Sequence, residues 1–461
     1  MIAPARVAAY EILAAVSAGN ADLPTAIASA RGDLHDDRDR ALAAEIAAGV
    51  QRWRAALDHL IVTFSKRSIA KLDPEVVEIL RLSAYQLLHL TRVPASAVVD
   101  DAVNLARRAG KASATGFVNA VLRTISRTRD GLPLPSRPGD PERAALHREG
   151  TDREAALDYL SVTLSHPRWL AARWQDRLGF DAADAWMRCD NSPASLTLRA
   201  NRLRITRDDL ASRLSADDIR VHPSAVAPDA LVVDEGRPLR GSAFEEGLFF
   251  AQDEASQLVA LLAGDRPPSR VLDACASPGG KTTAIAAAME NRGVLVATDL
   301  RDRRIDLLRT TVATSGATNV RIVQADLRRP LPFLMPFDCV LVDAPCSGLG
   351  TLRRDPDIRW RRREDDLPAL AAVELTMLQR AADVVAPGGR LIYATCSSEP
   401  EENEAIAGAF LATTASFAPL HASQASTQLA PALVDARGHL RTAPHLHGLE
   451  AFFGAVFQRL P

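Results

Sequence analysis

The chain has 461 residues, 47% of them hydrophobic and 24% charged, which is the balance of an ordinary globular protein too long for one core; two to four domains are expected. A net charge of −2 at pH 7 excludes a uniformly basic nucleic-acid binder and leaves room for a local basic face. No apolar stretch approaches the roughly 20 residues of a membrane helix, the first ten residues lack a signal peptide's apolar core, and Cys189, Cys275, Cys339, Cys346 and Cys396 show no C-x-x-C spacing. The expectation is a cytoplasmic protein without a membrane segment, a metal site or a disulfide framework.

Residues 2 to about 128 read as helical. Apolar groups recur every three or four positions, as in Val7, Tyr10, Ile12 and Val16, or Val77, Leu80, Ala84 and Leu87. Asp73-Pro74 looks like a cap followed by proline in the first turn, and Pro94 separates two helices. Residues 1–130 are therefore expected to be an all-α domain. Gly131 to Pro141 holds four prolines and two glycines in eleven residues, so 131–155 is expected to be a linker. Residues 156–250 mix helical stretches (Pro167 to Leu178, Ala182 to Cys189) with strand candidates at Ser195 to Arg199, Val221 to Pro223 and Ala230 to Val233, a small α+β module. Its Arg199, Arg202, Arg204 and Arg207 give it a basic edge.

From 251 to 461 the pattern changes. Strand candidates Arg270 to Cys275, Gly293 to Thr298, Val320 to Ala325, Asp338 to Val342 and Arg390 to Thr395 alternate with helical segments Thr282 to Glu290, Arg301 to Thr314 and Leu367 to Val385, the last stopped by Gly388-Gly389. Alternating βα units imply an α/β doubly wound (Rossmann-like) parallel sheet, whose ligands bind beyond the carboxyl ends of the strands. Phe417 to Pro444 reads as loop and irregular strand, and Phe452 to Gln458 as a closing strand.

The first strand of this region runs into Asp273-Ala-Cys-Ala-Ser-Pro-Gly-Gly-Lys281 and then a helix. Glycines there let the backbone approach a ligand at a helix N-terminus, yet the loop is neither a Walker A nor a G-x-G-x-x-G motif. Asp299 ends the second strand 19 residues past Gly280, the spacing at which a carboxylate meets ribose hydroxyls. Asp326 ends the third, where a carboxylate can accept from an adenine amine. An adenosine cofactor without a pyrophosphate fits best, with S-adenosyl-L-methionine the leading choice.

Two further strands end in cysteine turns, Asp343-Ala-Pro-Cys346-Ser347-Gly348 and Thr395-Cys396-Ser397. C5 of cytosine is not nucleophilic while its ring is conjugated. Addition of a thiolate at C6 makes C5 enamine-like and able to take a methyl group from a sulfonium. Asp343 is placed to support charge developing at N3, and a second thiol can remove the C5 proton. Spacing does not decide which thiol does which. Cys189 and Cys339 read as buried filler.

The motifs D-A-C-A-S-P-G-G-K (273–281), D-A-P-C-S-G-L-G (343–350), R-R-D-P-D-I-R-W (353–360) and Y-A-T-C-S-S-E-P-E-E-N (393–403) resemble the RNA cytosine-C5 methyltransferases of the Nop/Sun family. The resemblance implies that Cys396 attacks C6, that Cys346 serves product release, and that Cys275, Ala276, Ser277, Pro278, Gly279, Gly280, Lys281, Asp299, Asp326 and Asp343 hold S-adenosyl-L-methionine. Y-Q-L-L-H-L-T-R-V-P (85–94) and G-F-V-N-A-V-L-R (116–123) resemble the NusB-type RNA-binding domain. Together they point to the bacterial RsmB (Sun) branch, acting as a monomer on 16S ribosomal RNA, free or in an early assembly intermediate. Residues 156–250 then become an RNA-binding module and 251–461 the methyltransferase domain. The chain departs from the family pattern at H-G-L-E-A-F-F (447–453), where D-G-M-D-G-F-F is usual, and at Ser277, where alanine is common.

A tRNA methyltransferase, a nicotinamide-dependent dehydrogenase and a non-enzymatic RNA-binding scaffold are the competing readings. The missing G-x-G-x-x-G opposes the dehydrogenase, and the scaffold leaves both thiols unexplained. Arg353 to Arg363, with six arginines and Trp360 directly after the Cys346 turn, is expected to face RNA.

Overall fold

The computed structural model describes residues 2–139, 152–264 and 269–461. Its contacts divide the chain into two compact units, Met1–Ser192 with Leu352–Glu364, and Pro193–Thr351 with Asp365–Pro461.

The first unit is helical. It comprises α1 (Pro4–Ser17), α2 (Leu23–Ala30), α3 (Asp37–Ser65), α4 (Pro74–His89), α5 (Ala95–Arg108), α6 (Thr115–Arg127), α7 (Asp152–Asp158), α8 (Arg168–Leu178) and α9 (Phe180–Asp190). The three- and four-residue apolar spacing folds inward, burying Ile12, Leu13, Ile46, Val50, Leu80 and Leu122 in one core. Asp22 caps α2 by accepting from Thr25 N, and Asp36 caps α3 by accepting from Arg38 N. Pro74 does open α4, but the Asp73 carboxylate caps nothing; it pairs instead with Lys111 at 3.1 Å. Residues 131–139 have no regular structure and are tied down all the same. Pro135 O accepts from Thr163, and Arg137 pairs with Asp181 and Asp184. Of the segment read as a linker, 140–151 lies outside the described residues and α7 begins at Asp152.

The second unit opens with β1 (Thr197–Ala200), α10 (Arg207–Ala216), β2 (Arg220–Pro223), β3 (Ala230–Glu235), α11 (Ser242–Glu245) and β4 (Phe249–Ala251), an antiparallel sheet of order β2-β3-β1-β4. Its basic edge is thinner than the sequence suggests. Arg199 is buried, with Nε on Gln252 and Nη2 on Thr283, because β1 is covered on the face that carries it.

The chain continues through α12 (Glu254–Leu261), β5 (Arg270–Asp273), α13 (Gly280–Ala288), β6 (Val294–Asp299), α14 (Asp302–Ser315), β7 (Val320–Gln324) and β8 (Phe337–Asp343). It then makes an excursion containing α15 (Ile358–Arg361) and returns as α16 (Asp366–Ala382), β9 (Val385–Thr395), α17 (Glu404–Thr413), β10 (Phe417–Leu420), α18 (Ala422–Ala425), β11 (Leu440–Arg441), α19 (Pro444–His447) and β12 (Phe453–Arg459). The sheet order is β10-β12-β9-β8-β5-β6-β7, with β11 on β12. Alternate residues of the strands feed two cores, as a period of two requires. Val271, Cys339, Leu341 and Ile392 pack with α12, α13 and α14; Leu272, Val340, Val342 and Leu391 pack with α16 and α17.

This is the expected doubly wound arrangement with two corrections. Strands β5 to β9 are parallel, but β12 runs antiparallel to β9 and β10 antiparallel to β12, so the sheet is mixed. Gly388-Gly389 does not stop a helix. Helix α16 ends at Ala382 and both glycines lie inside β9, where Gly388 takes φ +72° and the register against β8 shifts.

The excursion Leu352–Glu364 folds within the helical unit. Arg359 is fully buried, its Nη1 donating to Asn191 Oδ1 at 2.9 Å and Ser165 O at 3.1 Å, and its Nη2 to Leu352 O at 3.5 Å. The Trp360 indole donates to Gln51 O at 2.6 Å beneath the Arg54 guanidinium, and Asp357 accepts from Leu23 N. The expectation that this whole arginine-rich run faces RNA is therefore corrected. Arg361 and Arg363 are exposed, whereas Arg359 and Trp360 pack against the α3 and α8–α9 region, because main-chain carbonyls and the Asn191 amide oxygen take the Arg359 Nη donors in place of water. Replacement Arg359→Ala should lower the melting temperature of the helical unit, at a cost on the order of 1–3 kcal/mol for each buried acceptor left unpaired. An unchanged transition in calorimetry would show that those acceptors find other donors.

Candidate active site

Every residue singled out above for chemistry lies at or just past the carboxyl end of a strand in the second unit. β8 is an apolar, buried strand that closes on Asp343, and the chain then turns through Pro345 and through Gly348 at φ +77°. The neighbouring strand β9 pairs with it in the register Asp343↔Ala394, so the turn after β9 emerges beside the turn after β8. The result is a separation of 3.3 Å between Cys346 Sγ and Cys396 Sγ. Both cysteines are half-buried. Hydrogen bonding to Cys396, followed by burial, pushes the Cys346 thiol well above its usual range.

Backbone bonds lock the two turns together. Ala344 N donates to Ala394 O at 2.8 Å, Gly350 N to Cys396 O at 2.9 Å, and Ala451 N to Gly350 O at 2.9 Å. Only glycine fits at 350, because a Cβ there would lie 2.1 Å from Ala451 O and 2.7 Å from Cys396 O. The loop in which H-G-L-E-A-F-F replaces the more usual motif thus abuts the site. His447 accepts from Ala443 N within its own turn, and Phe452 lies 5.7 Å from the Lys281 ammonium.

Lys281, in the first turn of α13, donates to Asp343 Oδ2 at 2.6 Å. Burial would lower its pKa, and the Asp343 carboxylate outweighs burial, so Lys281 stays charged. The loop before it, Cys275 to Gly280, turns with Gly279 at φ +106°; a Cβ there would press on Leu308 at 3.0 Å. Ala276 and Ser277 are buried in the loop and Pro278 is exposed at its tip. Burial, with Asp343 and Asp273 nearby, pushes the Cys275 thiol well up, which keeps it protonated. Asp273, at the end of β5, accepts from Thr282 at 2.7 Å, and burial lifts its carboxyl to about 7. Asp299, at the end of β6, accepts from Ser277 N, Leu300 N and Arg304. Asp326, just past β7, is gripped by Arg328 at 2.8 Å, which draws its pKa down.

Asp343, Asp273, Asp299 and Asp326 therefore stand in a row at the ends of four adjacent strands, β8, β5, β6 and β7. Carboxylates in such a row accept from ribose hydroxyls and an adenine amine and attract a sulfonium cation, whereas they would repel a diphosphate. The donor set fits S-adenosyl-L-methionine and opposes a dinucleotide.

Beneath the cysteines lies a buried polar cluster that the sequence did not point out. Tyr393 OH lies 2.9 Å from Glu374 Oε2, and burial followed by the nearby Glu402 pushes Glu374 up to about 10, so Glu374 is neutral at pH 7. The unfolded chain loses this proton near the ordinary 4.5, so stability falls as pH rises between those values. In denaturant unfolding, Glu374→Gln should gain on the native protein as pH is raised from about 5 to about 9. Parallel curves would mean that Glu374 is ionised in the folded state.

Comparison with known proteins follows the same lines. A family model described as 16S rRNA methyltransferase RsmB/F matches residues 260–458, the NusB family matches 3–127, and an RsmF/B-like ferredoxin-like domain matches 166–240. The chain is 33% identical to the probable ribosomal RNA small subunit methyltransferase B of Bacillus subtilis over 90% of both proteins. It is 34% identical to the ribosomal RNA small subunit methyltransferase B of Pseudomonas putida over 89% of both. The crystal structure of PH0851 superposes with a TM-score of 0.79 at 25% identity, covering 100% of this chain and 99% of that one. A methyltransferase homologue from Pyrococcus horikoshii superposes at 0.58 and 26% identity, covering 66% of this chain and 99% of that one. With a NusB-like helical domain, a ferredoxin-like module and a methyltransferase domain in that order, the chain belongs to the ribosomal RNA small subunit methyltransferase B family.

Proposed function

We propose that the protein methylates C5 of a cytosine in 16S ribosomal RNA, using S-adenosyl-L-methionine and a covalent adduct between C6 and Cys396. The observation that carries this reading is the 3.3 Å approach of two thiols beside a row of carboxylates. Support for the substrate comes from the family to which the chain belongs and from the description of its matching model. On this reading residues 1–130 and 156–250 select and hold RNA, free or in an early assembly intermediate, and 251–461 perform the transfer as a monomer.

The residues divide the work as follows. Cys396, as a thiolate accepting from the Cys346 S–H, adds to C6. A C–S bond forms, and the electrons of the 5,6-double bond make C5 nucleophilic. Asp343 meets the N3 edge, and a proton from Lys281 passes through its carboxylate to N3. When bound, S-adenosyl-L-methionine supplies an electrophilic methyl group at its sulfonium. Cys275 to Lys281, Asp299 and Asp326 hold it. In the adduct Cys396 is a neutral thioether, so the largest of the influences that hold Cys346 protonated is gone and Cys346 releases its proton to solvent. With C5 methylated, Cys346 takes the C5 proton, the 5,6-double bond re-forms, the C6–S bond breaks, and Cys396 leaves as a thiolate. N3 returns its proton to the Asp343–Lys281 pair. One proton is released per turnover.

Incubation with labelled S-adenosyl-L-methionine and naked 16S RNA, followed by nucleoside analysis, tests the activity; label in any base other than 5-methylcytosine refutes it. The thiol roles have their own test. Cys396→Ala should lose methyl transfer while still binding RNA. Cys346→Ala should methylate once and accumulate a protein–RNA complex that survives denaturation, and the double variant should trap nothing. A stable adduct from Cys396→Ala and none from Cys346→Ala would reverse the assignment.

A further inference from the structure

The residue after each cysteine in the site is a serine, and the two serines converge on one carboxylate. Glu402, fully buried, accepts from Ser347 N at 2.6 Å on Oε1, and from Ser347 Oγ at 2.6 Å and Ser397 Oγ at 2.5 Å on Oε2. The protons are accounted for. Ser347 Oγ accepts from Leu349 N and Ser397 Oγ accepts from Glu399 N, so each hydroxyl has its own hydrogen to give to Glu402. Glu402 is thus an acceptor three times over, the arrangement in which a carboxylate bonds most strongly. Its own position is fixed from behind, where its main-chain carbonyl accepts from Tyr393 OH at 2.5 Å, and its neighbour Asn403 bonds Thr395 Oγ1 and Ser397 O.

We propose that Glu402 is the positioning residue that sets the Cys346–Cys396 approach, by gripping the serine beside each thiol. The ladder between β8 and β9 ends at Asp343↔Ala394, three residues short of Cys346 and two short of Cys396. Beyond it the thiols depend on side chains and on the Gly350 bond; Glu402 is bonded to both turns, and Ser347 Oγ and Ser397 Oγ, which it grips, lie 3.2 Å from each other. This role rests on the reading of the two cysteines as the reacting pair.

The test separates the two claims, because thiol approach is read without RNA or cofactor. Diamide, reduced to its hydrazine, takes two protons and two electrons from the thiols and closes a Cys346–Cys396 disulfide, which mass spectrometry follows on the full-length protein. Glu402→Gln keeps the shape but presents an NH₂ where an acceptor is needed. It should slow closure roughly tenfold or more and lower kcat by up to about a hundredfold, the penalty of an ångström-scale misplacement, with KM for RNA and cofactor little changed. A purely electrostatic role gives the opposite sign, because the Glu402 charge helps to hold Cys346 protonated and its loss would speed closure. Closure at the native rate or faster in Glu402→Gln overturns the proposal. If that variant does not fold, Ser347→Ala with Ser397→Ala removes the hydroxyl ties and must slow closure likewise; native closure there overturns it too. A protein that closes the disulfide normally and methylates no cytosine would sink the proposed function alone.

Discussion

The parallel pairing of β8 with β9 is the constraint on which the site depends. The two cysteine turns are fifty residues apart in the chain, and nothing local to either would bring them together. A parallel ladder puts the carboxyl ends of adjacent strands at the same level, so residues just beyond those ends share one rim. Register Asp343↔Ala394 then leaves the two turns abreast, and a slip of one residue would reverse the faces of every side chain along β9. Gly350, with no room for a Cβ, and the Ala451 backbone close the rim from the β12 side.

The same rim carries an electrostatic division. Toward β5, β6 and β7 stand carboxylates that suit hydroxyls, an amine and a cation; toward β9 stand thiols over a polar cluster kept nearly free of water. Lys281 sits at the junction, compensating Asp343 and facing the Phe452 ring. Burial acts in the same direction on both sides. It holds Asp273, Cys275 and Glu374 toward their neutral forms, while Asp299 and Asp326 keep guanidinium partners. Charge is concentrated where ligand groups would meet it.

Five residues after Cys346 the chain leaves the sheet unit, packs Arg359 and Trp360 into the helical unit and comes back at Asp365. The helical unit is thus joined to the sheet unit by two further covalent crossings besides the chain's first passage between them, and it includes a segment from the middle of the methyltransferase sequence. Removal of the first 128 residues would take away Gln51 O, which accepts from the Trp360 indole, and the Arg54 guanidinium over its ring.

Patterns with short periods were legible from the sequence alone. The 3.6-residue spacing gave the helices of the first 128 residues, the βα alternation gave the strands that carry the site, and the acids and cysteines at their ends gave the candidate residues, because local periodicity and turn chemistry are properties of the chain itself. The motif resemblance supplied the family and left the geometry open. What the tertiary structure decided is what depends on partners far along the chain. The antiparallel docking of β12 on β9, the burial of Arg359 in a run of arginines that reads as a charged surface, the glycines inside β9, and the convergence of Ser347 and Ser397 on Glu402 are all of this kind. A serine or an arginine has the same local propensity whether it is solvated or satisfied by a distant carbonyl or carboxylate. Only the fold brings that acceptor within reach.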